Sequence, residues 1–379
     1  MKLKVFFSVG LSFLFIPAAV FPRSAMAQDF QDIELKPQAT VSATFDDNLH
    51  NSHENTKSDF ITAVSAGLSL GYKDPLKSFS ATASATRQFF SRYSSLDNTS
   101  GDLGFSYARE LSYYDRISLS EKFSTAYEAA SFEEQFGRTL GRYRYYANEI
   151  IVEYIRDIAK QTQARAFYSN VIDAFSISGI SDSYTNALGL QVDHDLSSQT
   201  TVLGAYELSR RSFKDGPDAM RSRVIAGLQQ DLTKQLSMEA TAGVDCLDSY
   251  RDDTLFKPYV SLRLANEFDS LTGAGVSFVR QYDLNPFAED IFKEWRLSAD
   301  FTRQPVKKFS YTASCFIGEG QYVASGLTDR LLGAGLECFY RLSEKVKLAA
   351  SYQYSTVDSN QEDREYDKHK LSLGLRMEF

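Results

Sequence analysis

Apolar and polar residues alternate with a period of two over most of this chain, the spacing that sends successive side chains to opposite faces of a β-strand. The clearest run is the last. His369, Leu371, Leu373, Leu375, Met377 and Phe379 alternate there with Lys370, Ser372, Gly374, Arg376 and Glu378. Near the start, Leu35, Pro37, Ala39, Val41, Ala43 and Phe45 oppose Lys36, Gln38, Thr40, Ser42, Thr44 and Asp46. Phe60, Thr62, Val64, Ala66, Leu68, Leu70 and Tyr72 then oppose Ser65, Gly67, Ser69 and Gly71. Later runs set Trp295, Leu297, Ala299 and Phe301 against Arg296, Ser298, Asp300 and Thr302, and Val346, Leu348, Ala350, Tyr352 and Tyr354 against Lys347, Ser351 and Gln353.

Short turn phrases punctuate these runs at Tyr72 to Pro75, Leu111 to Asp115, Asp157 to Lys160, Asp195 to Ser198, Asp231 to Lys234, Phe268 to Ser270, Gln304 to Val306 and Leu342 to Glu344. Their spacing is about 36 to 44 residues, one long hairpin with its loop. Eight tight turns join nine hairpins, which predicts eighteen antiparallel strands centred near residues 40, 66, 86, 106, 122, 150, 168, 189, 206, 226, 242, 262, 277, 297, 314, 335, 350 and 373. Sixteen strands is the second choice, because the patterns of Ala164 to Asn170 and Asp182 to His194 are weaker. A water-soluble sandwich or solenoid shares some of this alternation but does not account for so many long, evenly spaced hairpins.

The fold class is therefore all-β, a transmembrane, antiparallel, up-and-down β-barrel. Closure follows from physics, since a sheet edge exposed to lipid would leave backbone N–H and C=O groups unpaired. At eighteen strands the interior is too wide for its own side chains to fill. An even strand number leaves both chain ends on one side of the membrane.

Composition agrees. No segment after the first residues has the ~20 consecutive apolar residues of a membrane helix. Tyr and Phe are nevertheless abundant, 22 and 28 of 379 residues. At the N-terminus Lys2 and Lys4 precede an apolar run from Val5 to Val20, and Ser24 to Ala27 offers a small-residue cleavage site before Gln28. Residues 1–27 are expected to be a secretory signal peptide and residues 28–379 the barrel domain, placed in a Gram-negative-type cell outer membrane after secretion across the inner one. The whole chain carries a formal charge of −8, and removing Lys2, Lys4 and Arg23 lowers this by three to −11, so nucleic acid is not an expected partner. Cys246, Cys315 and Cys338 lie on the apolar register of their strands and read as small lipid-facing residues. A Cys315–Cys338 bridge across one hairpin stays open as an alternative.

The longer connections face outward on this reading: Asp46 to Ser58, Ser94 to Gly101, Glu128 to Gly141, Ala174 to Ser183, Ser212 to Ala219, Asp248 to Thr254, Asp283 to Glu289, Glu319 to Leu327 and Thr356 to Glu365. None is long enough to fold inward and narrow a pore, which predicts a wide lumen unless Gln28 to Asp32 or another protein plugs it. The expected lumen face mixes signs. Glu149, Glu153, Asp193, Glu207, Asp231, Glu294, Asp300 and Glu337 stand with Lys36, Arg165, Arg211, Arg223, Arg263, Arg296, Arg341, Lys347 and Arg376. This is not a selectivity ring of one sign. It reads as a hydrated interior whose charges satisfy one another, or as a lining for carbohydrate with Tyr143, Tyr145 and Tyr259 as stacking surfaces. Glu121 falls on the lipid register beside Leu119 and Phe123, so it lies at an interface or the register slips there.

Catalysis needs a nucleophile with a positioned base, paired carboxylates in a cleft, or a metal set. None is legible. His50 and His53 belong to a polar first loop that reads as solvated rather than metal-binding, His194 lies beside a tight turn, and His369 opens the final strand. No catalytic, cofactor-binding or metal-ligating residue is assigned, and no cofactor is expected.

The first hairpin reads Ala43-Thr44-Phe45-Asp46-Asp47-Asn48-Leu49, a polar loop, then Ser58-Asp59-Phe60 through Gly67-Leu68-Ser69-Leu70. This resembles the β-barrel porin-2 family of bacterial outer-membrane proteins, in which an Asp-Asp-Asn phrase and a Ser-Asp-hydrophobic strand ending in Gly-Leu-x-Leu open the barrel. Ala66 stands where that family often has Pro. The final strand ending on Phe379 resembles the signal by which outer-membrane proteins engage the barrel assembly machinery. The resemblance implies a porin-like conduit in contact with outer-membrane lipid, with secreted polysaccharide as cargo and a periplasmic polysaccharide-export protein as partner. A general small-solute diffusion porin and a structural or plugged barrel are the alternatives.

Overall fold

A computed structural model describes residues 33–127, 143–177, 180–216, 218–249, 255–284, 291–323 and 325–379. The expected signal peptide, the Gln28 to Asp32 segment and the Glu128 to Gly141 connection lie outside these residues. The strands are β1 (Glu34–Asp46), β2 (Asp59–Lys73), β3 (Lys77–Phe90), β4 (Asn98–Glu110), β5 (Asp115–Ala126) and β6 (Tyr145–Ala159). There follow β7 (Thr162–Phe175), β8 (Ser183–Ser197), β9 (Thr200–Phe213), β10 (Ala219–Asp231), β11 (Leu236–Ser249) and β12 (Leu255–Asp269). The last are β13 (Thr272–Leu284), β14 (Ile291–Val306), β15 (Phe309–Tyr322), β16 (Thr328–Arg341), β17 (Val346–Ser359) and β18 (Tyr366–Glu378). They form one 18-stranded antiparallel sheet in which each strand pairs with its sequence neighbours. All eighteen expected centres fall within strands, including those of the two weakly patterned segments, now β7 and β8.

The sheet closes because β1 pairs with β2 on one side and with β18 on the other, Asp46 facing Asp59 and Lys370 in turn. No backbone edge is left at this seam, which is what a hydrocarbon environment requires. The Phe379 amide adds a bond to the Pro37 carbonyl at 3.0 Å.

Turn chemistry fixes one rim. At the β2–β3 turn Asp74 Oδ1 accepts the amides of Leu76 and Lys77 at 2.7 and 2.8 Å, and Tyr72 Oη donates to its Oδ2 at 2.6 Å. Thr233 Oγ1 plays the same part at β10–β11, accepting from Gln235 and Leu236. A short carboxylate or hydroxyl that mimics a backbone acceptor holds such turns.

The outward face is apolar and exposed, with Val41, Phe60, Val64, Leu68, Leu297, Leu371 and Leu373 each more than two-fifths accessible. Near the turn rim it ends in aromatic residues, where Phe79 packs on Phe105 and Tyr311 on both Phe301 and Phe309. An apolar band bounded by an aromatic girdle is the surface of a barrel set in lipid.

Buried apolar side chains gather at the opposite, loop rim. Leu49, Ile61 and Phe90 form one cluster, Leu247, Tyr282 and Ile291 a second, and Phe292, Phe316, Tyr322 and Leu331 a third. Inward Thr82, Ser84, Ser106, Glu239 and Arg263 of the turn half are exposed, whereas these buried clusters lie at the loop ends of the strands and in the first loop.

All three cysteines are free thiols on the outward register. Cys315 faces Ala334 and Cys338 faces Tyr311, an offset of four residues along the hairpin. At ~3.3 Å per residue the two are ~13 Å apart, too far for a disulfide. Glu121 keeps its outward register between Phe105 and Ile150, so no slip occurs, and it accepts a hydrogen bond from the Asn148 side chain.

Candidate functional site

The lumen is the candidate site, and its face can be traced strand by strand. A cavity of about 540 Å³ at the β18–β7 wall is lined by Ser42, Thr44, Ser100, Lys122, Glu149, Asp173 and Lys370 among others, which identifies the inward positions of those strands. Directly opposed residues share a face, so the cross-strand register carries the assignment round the cylinder. Every charged residue expected to face the lumen does so, from Lys36 on β1 to Arg376 on β18.

Many of these charges neutralise one another in place. Arg223 donates through Nε and Nη2 to the two carboxylate oxygens of Asp245 at 2.5 and 3.1 Å, a bidentate pair sealed from water. Arg211 pairs with Asp173 at 3.2 Å, also buried. Arg221 meets Glu207 at 2.6 Å, Arg165 meets Glu153 at 3.2 Å, and Lys347 meets Glu378 at 3.0 Å. These pairs join adjacent strands, or β7 to β9 across β8 for Asp173 and Arg211, and stiffen the wall because each paired cation is held by a second strand. The expected lumen charges leave out several members, Asp173, Asp245, Lys122 and Lys368 among them. Strand parity places them inward; that Asp173, Asp245 and Lys368 are members of buried pairs depends on partners on other strands.

The three tyrosines do not make one platform. Tyr143 and Tyr145 both pack on Phe175, at 6.0 and 5.6 Å between ring centres. Tyr259 lies on β12, across the barrel, and one face of its ring carries the Arg223 guanidinium at 4.3 Å. Of the three, only Tyr145 lines the 540 Å³ cavity.

The Asp46-Asp47-Asn48 phrase acquires a specific task. Asp46 is enclosed with Lys368, Asp47 Oδ1 accepts the His369 amide at 2.7 Å, and Asn48 Nδ2 donates to the Asp367 carbonyl at 3.0 Å. Three consecutive side chains of the first hairpin thus grip the start of β18 and lock the seam at the loop rim. Of the histidines, His53 lies 3.7 Å from Glu365, His194 bonds Thr162, and His369 bonds Tyr352.

A closed cylinder of eighteen strands, apolar outside and lined with paired charges inside, defines a porin-like β-barrel of the outer-membrane type. The family described as "Putative beta-barrel porin 2" matches residues 296–379, the stretch from β14 to β18 rather than the first hairpin. Among solved structures, the chain is similar to OccK2 (OpdF) of Pseudomonas aeruginosa in complex with glucuronate, at 10% identity and a TM-score of 0.53, over 92% of this chain and 98% of that one. The outer membrane protein opdK of Pseudomonas aeruginosa is similar at 9% identity and a TM-score of 0.52, over 91% of this chain and 99% of that one. At such identities the likeness concerns the fold. No protein of curated function matches the sequence.

Proposed function

We propose that this chain is a channel of the bacterial outer membrane that passes small hydrophilic solutes through its lumen. The observation that carries this reading is the inward face: exposed Ser, Thr and charged side chains over the turn half of a closed cylinder, with balanced ion pairs around the wall. Such a lining keeps water in the pore and presents no single-sign barrier. Export through the signal at residues 1–27, delivery to the outer membrane, and assembly through the final strand ending at Phe379 complete the proposal. A polysaccharide conduit with a periplasmic export partner, which the first hairpin suggests, has no comparable observation in its support.

Purified, refolded protein in planar bilayers tests this directly. Stepwise ionic conductance, together with swelling of proteoliposomes in small sugars and amino acids, is the expected result. Silence in both assays from protein that is folded and inserted would refute the channel, and loss of surface polysaccharide on deletion of the gene with normal small-solute uptake would favour the conduit instead.

A further inference from the structure

Inward cations mostly face an acid or a neutral residue on the next strand, as Lys122 faces Glu149 and Gly104, and Arg263 faces Glu239 and Ser277. The turn rim from β16 to β18 differs. Arg341 faces Lys347, and Lys347 in turn faces Arg376, so inward positions on three adjacent strands carry positive charge in one row. Opposed residues have Cβ atoms only ~5 Å apart, and like charges there repel and cost stability. One acid relieves the row, Glu378, which accepts from Lys347 Nζ at 3.0 and 3.2 Å. Among the described residues the guanidinium groups of Arg341 and Arg376 have no carboxylate partner, and both residues are exposed. Nearby acids do not fill this role: Lys36 holds Glu34 at 2.9 Å, and Glu337 lies further up β16, beyond Phe339.

Beside the row the wall is hollow. Ala349 faces Gly374 there, and a cavity of about 120 Å³ lies over this pair of small residues. The hydroxyls of Thr40, Ser42, Ser351 and Ser372 join Lys347 and Arg376 around it. No carboxylate lines this cavity, whereas Asp46, Asp102, Glu149 and Asp173 all line the one of 540 Å³. Every polar side chain at the smaller cavity can therefore donate to an oxyanion, and none is an anion that would repel it.

We propose that Lys347 and Arg376, with Arg341 beside them, form a binding site for the carboxylate or phosphate group of a small solute crossing the lumen. A guanidinium binds either group through two parallel hydrogen bonds, and an anion between the opposed cations removes the repulsion within the row. The site rests on the reading of the chain as a channel and gives that channel a preference for solutes bearing an acid group. It spans three of the eighteen strands, so it acts as a local foothold at the turn-rim mouth and not as a ring that bars cations.

Uptake of labelled gluconate and glucose by proteoliposomes holding the full-length chain, at low ionic strength, supplies the test. Arg341→Gln with Arg376→Gln is expected to lower the gluconate-to-glucose uptake ratio by about threefold or more, since a like-signed cluster concentrates its counter-ion. Arg341→Lys with Arg376→Lys should keep most of it. Lys347 is left in place so that Glu378 keeps its partner. Heat-dependent gel mobility checks that each variant is a folded barrel. Should the Gln variant fail that check, competition in the wild type decides: inorganic phosphate is expected to slow gluconate and spare glucose. A ratio unmoved in the folded Gln variant, or gluconate uptake indifferent to phosphate, would overturn the site and leave the channel standing. Failure of the folded wild type to pass either solute would overturn the channel reading, and the site with it.

Discussion

The Nζ of Lys368 lies 3.2 Å from Oδ2 of Asp46, and both side chains are almost sealed from water, 2% and 1% exposed. They come from the two ends of the chain and meet where the sheet closes. Lys368 also donates to Asn51 Oδ1 at 2.9 Å, and Lys370 approaches the same carboxylate at 3.8 Å. The pair therefore serves the seam, the part of a barrel whose backbone pairing is formed from the most distant segments.

Removing one partner should cost more than removing both. Lys368→Met leaves Asp46 buried with only the more distant Lys370, and roughly 3 kcal/mol of stability is expected to go, whereas Asp46→Leu with Lys368→Met should recover a large part of it. Urea unfolding in lipid vesicles, followed by Tyr and Trp fluorescence, measures both. Equal losses for the single and double variants would show that the charge pair has no part in the seam.

On the lumen face of β8, Gly189 lies under the Phe167 ring of β7, and a Cβ there would run into the ring. Gly189→Ala should destabilise the barrel by about 1–3 kcal/mol through overpacking, and Phe167→Leu introduced alongside it should relieve much of that. The same unfolding titration decides, through the coupling between the two changes.

Lys122 is an exposed inward cation on the 540 Å³ cavity, close to the acids of β4 and β6. Lys122→Glu is expected to move the reversal potential of the open channel toward cation preference, with stability altered by no more than about 0.5 kcal/mol, the usual range for exposed positions. An unchanged reversal potential in asymmetric salt would place Lys122 off the conduction path.

Asp74, in the β2–β3 turn outside the membrane band, has its carboxyl held below the usual aspartate range, chiefly by the Tyr72 hydroxyl, which with the Leu76 and Lys77 amides and the Lys77 charge outweighs the upward push of desolvation. The folded turn prefers the charged form. Its contribution is therefore fully present above the ordinary aspartate value of 3.8 and disappears as pH falls through the depressed one. Amide exchange at Leu76 and Lys77, corrected for intrinsic rates, should show steady protection from neutral pH down to about pH 4 and loss below it. Asp74→Asn should weaken protection at neutral pH and flatten this dependence.

The alternation of side chains and the Asp, Ser and Thr turns were enough to determine strand number, order, facing and closure. Each depends on local geometry: a period of two, a turn residue that mimics a backbone acceptor, and the need to pair every amide in lipid. Even Glu121, the residue that looked misplaced on the lipid register, was placed correctly by that rule. Tertiary structure alone decided which inward charges are buried partners, as with Arg223 and Asp245 or Lys368 and Asp46, and which apolar side chains gather in buried clusters at the loop rim. Local periodicity says which way a side chain points. How far a side chain is enclosed depends on what strands remote in sequence bring against it, and that is set only when the cylinder closes.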